Sequence, residues 1–161
     1  MGHRANFVVI RDGRATAHYD QWAAMGCTHF LADGPDAACR EISSYEQVDE
    51  LMDWAFAEAG YLLDFDEKTA ILFGCAFGLD ELGESDEDVD SPTGEAGSPF
   101  EEGGLALLRH IAPNWSGWTL VWDDHGVDAF AAHLRRRSIE GIAVQPDSHP
   151  PDTADAIEYR A

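Results

Sequence analysis

The sequence predicts an α+β domain: an antiparallel sheet built from two hairpins plus a further strand, with three to four helices packed against it. Three observations predict it. Two apolar runs within Gly60–Gly74 are joined by a short polar turn at Asp66-Glu67-Lys68. A second pair of runs flanks Asp12-Gly13. Between and after them lie segments whose apolar residues recur at helical spacing.

The pair around residues 60–74 is the centre of the reading. Val, Ile and aromatic residues suit a pleated, half-buried surface, and Asp66, Glu67 and Lys68 close the reversal with side chains that keep contact with water. The first hairpin runs Phe7-Val8-Val9-Ile10, then Arg11-Asp12-Gly13-Arg14, then Ala15 to Tyr19. Asp-Gly supplies the positive-φ conformers that a tight hairpin turn needs. Gly34-Pro35-Asp36 opens a short helix through Ile42: proline near the first turn has no N–H to lose, and an early carboxylate suits the helix dipole. Ser44 and Gln47 have the spacing of a capping box, and Val48, Leu51, Met52 and Ala55 follow at helical intervals, which predicts a helix from about Tyr45 to Ala59 that stops at Gly60.

Leu105–Ile111 reads as a helix ending before Pro113, and Trp118–Trp122 as a strand with its tryptophans on one face. Val127, Phe130, Ala131 and Leu134 form the stripe of a last amphipathic helix, with Arg135, Arg136 and Arg137 at its negative C-terminal end. Ile139–Val144 offers a short edge strand. The predicted organisation is a single domain over 1–144, containing a mobile acidic loop at about 78–103, followed by an extended polar tail over 145–161 rich in proline.

Charge is the most unusual property of the chain. Its 161 residues carry 31 Asp and Glu against 10 Lys and Arg, a formal net charge of -21. Such a field repels phosphate backbones and anionic lipid and draws in cationic surfaces, so direct nucleic-acid or membrane binding is disfavoured. No stretch reaches the roughly 18 apolar residues of a membrane span, and the amino-terminal segment lacks the apolar run of a secretory signal. Cys27, Cys39 and Cys75 are an odd number without a CxxC pair, which suits reduced thiols in a cytoplasm better than disulfides or a zinc knuckle.

Candidate chemistry is thin, and no catalytic residue, cofactor or metal site is assigned. Met1-Gly2-His3 places a histidine where an amino-terminal Cu(II) or Ni(II) site forms, but removal of Met1 would shift it out of register. His18, Tyr19, Asp20 and Trp22, with His29 close behind, offer a base beside an aromatic wall yet no nucleophile. Asp123-Asp124-His125 precedes a helix, where capping explains the carboxylates. Asp86-Glu87-Asp88-Val89-Asp90 lacks the glycine and final glutamate of an EF-hand loop. Of the tryptophans Trp22, Trp54, Trp115, Trp118 and Trp122, most are expected in the core, and Trp115, before Ser116-Gly117, is the one expected at the surface.

The opening MGHRANFVVIRDG, with Tyr19, Trp22, Gly34-Pro35, Leu62-Leu63-Asp64-Phe65-Asp66, Leu72-Phe73-Gly74 and Gly117-Trp118, resembles small uncharacterised actinobacterial proteins. Those have a small residue pair and glycine after the tryptophan, where this chain has Ala23-Ala24. The resemblance implies a bacterial source and carries over no catalytic residues. The functional expectation therefore rests on charge: a small acidic intracellular protein that neutralises a basic protein partner, in the manner of an immunity protein or antitoxin, with Asp86, Glu87, Asp88, Asp90 and Trp115 as contacts. The alternative is a small hydrolase-like enzyme using His18, Tyr19 and Asp20, or Asp124 and His125, in one pocket.

Overall fold

The computed structural model describes residues 4–21, 31–51, 59–74, 105, 107–123, 125–144 and 156–161. Its strands are β1 (Ala5–Arg11), β2 (Arg14–Asp20), β3 (Glu46–Val48), β4 (Glu50–Leu51), β5 (Ala59–Asp64), β6 (Thr69–Phe73), β7 (Thr119–Asp123), β8 (Ala143–Val144) and β9 (Ala156–Arg160). Its helices include α1 (Pro35–Ser43) and α2 (Val127–Arg136), and residues 107–111 are helical, leading into a 3-10 turn at Ala112–Asn114. Among the described residues no helix is long and apolar enough to cross a membrane.

The fold is α+β, but its sheet is larger than two hairpins and a strand. Seven strands run in the order β3-β2-β1-β5-β6-β7-β9, and β4 with β8 forms a separate pair. Both expected hairpins form, β1 with β2 and β5 with β6. They lie side by side through a parallel contact of β1 with β5, and β6 is parallel to β7, so the sheet is mixed rather than antiparallel. Parallel neighbours need a crossover, and the segments carrying α1 and residues 107–115 lie within those two connections.

Covering layers on both faces explain why the central strands read as near-continuous apolar runs: β5 is buried at every position. Ala5, Phe7, Val9, Tyr61, Leu63, Ala70, Leu72, Leu120 and Trp122 face one side, against Ala38 and Ile42 of α1 and Leu107, Leu108, Ile111 and Trp115. Val8, Ile10, Leu62, Ile71 and Phe73 face the other, against Val127, Phe130 and Leu134 of α2 and Leu51. Gly60, expected as a helix stop, instead lies inside β5, where an added Cβ would run into the Phe73 ring and come within 3.0 Å of Phe130. The glycine makes room for an edge-to-face pair of phenyl rings 5.3 Å apart.

Two further expectations are overturned. The helix expected from Tyr45 begins as strand: Ser44 donates its hydroxyl to Glu41 O and closes α1, while Gln47 pairs with His18 on the edge of β2. The edge of a growing sheet outweighs a local capping signal; residues 52–58 of that expectation lie outside the described residues. The terminal stretch, expected as a polar tail, ends in β9, which pairs antiparallel along the whole of β7. Its alternation of exposed and half-buried positions sets Ile157 and Tyr159 against the core. Ile139–Val144 contributes only β8, parallel to β4, and the acidic segment around 78–103 lies outside the described residues.

Candidate functional site

Two places on the described surface gather chemistry-bearing side chains. The first lies where the two hairpin turns meet the C-terminal end of α2. Asp64 follows Leu62 in parity and so points to the α2 side of the sheet, where it is 0 % exposed. Its Oδ1 accepts the backbone N–H of Asp66 and of Glu67, both at 3.0 Å, which sets the turn. Its Oδ2 lies 2.8 Å from His133 Nε2 and 3.0 Å from Arg137 Nε. The second contact is an ion pair without hydrogen-bond alignment, since Arg137 Nε finds no hydrogen-bond partner.

The outer carboxylates extend the cluster. Asp66 accepts the N–H of Asp12 at 2.7 Å and of Gly13 at 2.8 Å, and also Arg137 Nη2 at 2.7 Å. Glu67 accepts Arg136 Nη2 at 2.7 Å. Bonds from the Gly13 and Asp12 amides, then Arg137, hold the Asp66 carboxyl below its usual range, and Arg136 does the same for Glu67. A histidine and two arginines at spacings of three and four residues share one helix face, and the three ends of chain are riveted together.

Asp64, Glu67 and His133 also bring ligand-type atoms within 4.8 Å of one another. The chemistry of the donor set argues for a rivet over a metal centre. His133 Nε2 is engaged by Asp64, and the guanidinium groups of Arg136 and Arg137 already neutralise both carboxylates.

The second place is an open groove of about 570 Å³ between α1 and the first hairpin. Val9 and Arg11 of β1 and Arg14, Thr16 and His18 of β2 line it from the sheet; Asp36, Cys39, Arg40 and Ser43 line it from one face of the helix. Arg11 and Arg14 are direct cross-strand partners, as are Val9 and Thr16. The Arg11 guanidinium lies 4.0 Å from the centroid of the Phe65 ring and 3.8 Å from Asp36. His18, 9 % exposed, donates Nδ1–H to Tyr45 O at 3.3 Å. Nearby, burial and a hydrogen bond to Glu41 push the Tyr45 hydroxyl up, so it stays protonated.

No protein-family model, no curated protein and no solved structure matches this chain. Its function has to be read from the chain itself.

Of the expected contact residues, Asp86, Glu87, Asp88 and Asp90 lie outside the described residues. Trp115 corrects the expectation of exposure: it is 0 % exposed, donates Nε1–H to Leu31 O at 2.7 Å and stacks edge-on with Trp118. An indole anchored on both its apolar body and its polar edge belongs to the core and offers nothing to a partner. Trp118 and Trp122 are buried as expected.

The two histidines named for an enzyme pocket lie in different parts of the sheet. His18 is on β2 and His125 follows β7, four strand spacings away in the sheet, or roughly 19 Å. His125 is exposed and turns back on Asp123, whose Oδ1 takes both its backbone N–H at 2.9 Å and a contact from Nδ1 at 2.7 Å; this local turn is not the expected helix cap, since α2 has Gly126 at its N-cap and no side-chain cap. Tyr19 follows His18 along the strand and therefore points to the opposite face. Trp22, His29, Asp124 and Met1-Gly2-His3 lie outside the described residues.

Sequence reasoning missed both clusters. Neither Asp64 nor His133 is assigned a role from the sequence, although Asp64-x-Asp66-Glu67 and His133-x-x-Arg136-Arg137 carry complementary charge. Arg11 and Arg14 flanking Asp-Gly was the signal for the groove: the turn places them opposite one another.

Proposed function

We propose that this chain is a binding protein, a cytoplasmic acidic domain that meets and neutralises a basic protein partner as an immunity protein or antitoxin does. The observation that carries the reading is the surplus of 31 acidic over 10 basic side chains. A field of this sign accelerates encounter with a cationic surface and turns away nucleic acid and anionic lipid. Asp86, Glu87, Asp88 and Asp90, unbroken by any Lys or Arg, are the carboxylates assigned to the contact.

The test is affinity capture from the source organism at low and moderate salt, followed by reconstitution with the purified partner. A basic protein should be retained, with an association rate that falls about 10-fold or more as salt rises. Replacing the four acids together (Asp86→Asn, Glu87→Gln, Asp88→Asn, Asp90→Asn) should slow association most at low salt. Retention that is indifferent to both salt and these substitutions sinks the proposal.

A further inference from the structure

The groove between α1 and the first hairpin gathers basic side chains in a strongly acidic chain. Three of the chain's 10 basic residues, Arg11, Arg14 and Arg40, line it, against the single carboxylate of Asp36. Arg11 and Arg14 are like charges directly opposite one another on an antiparallel pair, an arrangement that costs stability. Arg11 is steadied by the Phe65 ring and, loosely, by Asp36. Arg14 and Arg40 have no carboxylate partner among the described residues, in a chain where acids outnumber bases threefold. Three guanidinium groups line one cavity, one of them loosely paired and two without a carboxylate partner among the described residues, and that is a setting that suits an oxyanion.

We infer that this groove is a binding site for a small phosphate monoester. Arg11, Arg14 and Arg40 would hold the phosphoryl oxygens, and the organic body would lie over Val9 and Thr16. Charge count favours phosphate, close to a dianion at neutral pH, over a carboxylate. Size favours an ester over the free ion: about 570 Å³ is within the range of small-molecule pockets and exceeds what one phosphoryl group fills. The net charge of -21 turns away long polyanions, so the ligand is small. Thr16 adds a hydroxyl donor on the sheet side; the Ser43 hydroxyl is already given to Cys39 O at 2.8 Å.

The experiment titrates the full chain at low salt with phenyl phosphate, benzoate and phenol, following backbone amide shifts by NMR and heat by calorimetry. Saturable binding of phenyl phosphate, with shifts centred on Arg11, Arg14, Thr16 and Arg40, is the expected result. Benzoate should bind about 10-fold more weakly or worse, phenol not measurably, and Arg14→Gln or Arg40→Gln should each weaken phenyl phosphate by about 10-fold. Both arginines are exposed, so an unchanged thermal melt confirms that each variant is folded. Absence of saturation, shifts centred elsewhere, or equal affinity in the arginine variants overturns the site; equal affinity for benzoate overturns its assignment to phosphate. The Arg14→Gln/Arg40→Gln double variant should still capture the basic partner, so this inference and the proposed function fail separately.

Discussion

Asp64 is the residue on which the described half-buried polar network turns. It has two backbone N–H groups on one oxygen and a histidine and an arginine on the other, and no exposure to water. A buried carboxylate is tolerable only because every direction around it is met by a donor or a cation. Asp64→Ala removes all four contacts at once and leaves Arg137 facing a cavity. We expect a loss of about 3–5 kcal/mol in urea unfolding, the range for breaking a buried pair from one side. Asp64→Asn, which keeps the shape and an acceptor oxygen, should cost clearly less; equal losses in the two variants would mean that the charge is immaterial. Nothing in the sequence around residue 64 distinguished this carboxylate from its solvated neighbours, because its burial is set by α2, which begins more than sixty residues later.

At the scale of elements, α2 is held by its end as well as by its apolar stripe. Its C-terminus closes with Ser138 N–H on Arg135 O and Ile139 N–H on Leu134 O, with Ser138 at φ 58° where glycine is more usual. The same turn of helix carries His133, Arg136 and Arg137 to the hairpin turns. Asp66 and Glu67 have their carboxyls lowered from ordinary values of 3.8 and 4.5, so each favours the folded state while ionised. Their contribution is complete above those ordinary values and is lost as the pH falls through them toward the lowered folded values. Urea unfolding measured between neutral pH and pH 3 should therefore show stability dropping below about pH 4.5. Asp66→Asn with Glu67→Gln should flatten that acid limb; an unchanged slope would show that the two carboxyls do not carry it. The Arg triplet was legible as favourable helix-end charge, while its targets were not, because a dipole argument sees one helix and the ion pairs need two hairpins.

The whole molecule is a mixed sheet clad on both faces, and its outer strand on one side is β9. This strand joins β7 through five register pairs and sets Ile157, Tyr159 and Ala161 against the core that includes Trp118 and Trp122. Ending the chain after residue 155 should cost on the order of 3 kcal/mol, since burial of one large apolar side chain is worth about 1.5–3 kcal/mol. Tryptophan emission should shift to the red as Trp118 and Trp122 lose their cover. Thermal melting and fluorescence indistinguishable from the full chain would show β9 to be an ornament of the sheet.

Composition and local pattern determined the α+β class, both hairpins, the α1, 107–111 and α2 helices, and the place of Trp118 and Trp122, because each of these is decided within a dozen residues by period, turn chemistry and apolar content. Tertiary structure alone decided that the sheet is mixed, that residues 46–48 join its edge, that β9 is part of it, that Trp115 is sealed inside, and that Arg11, Arg14 and Arg40 line one groove. Those outcomes depend on which distant segments become neighbours, and pairing across a sheet has no signature in the spacing of residues along the chain.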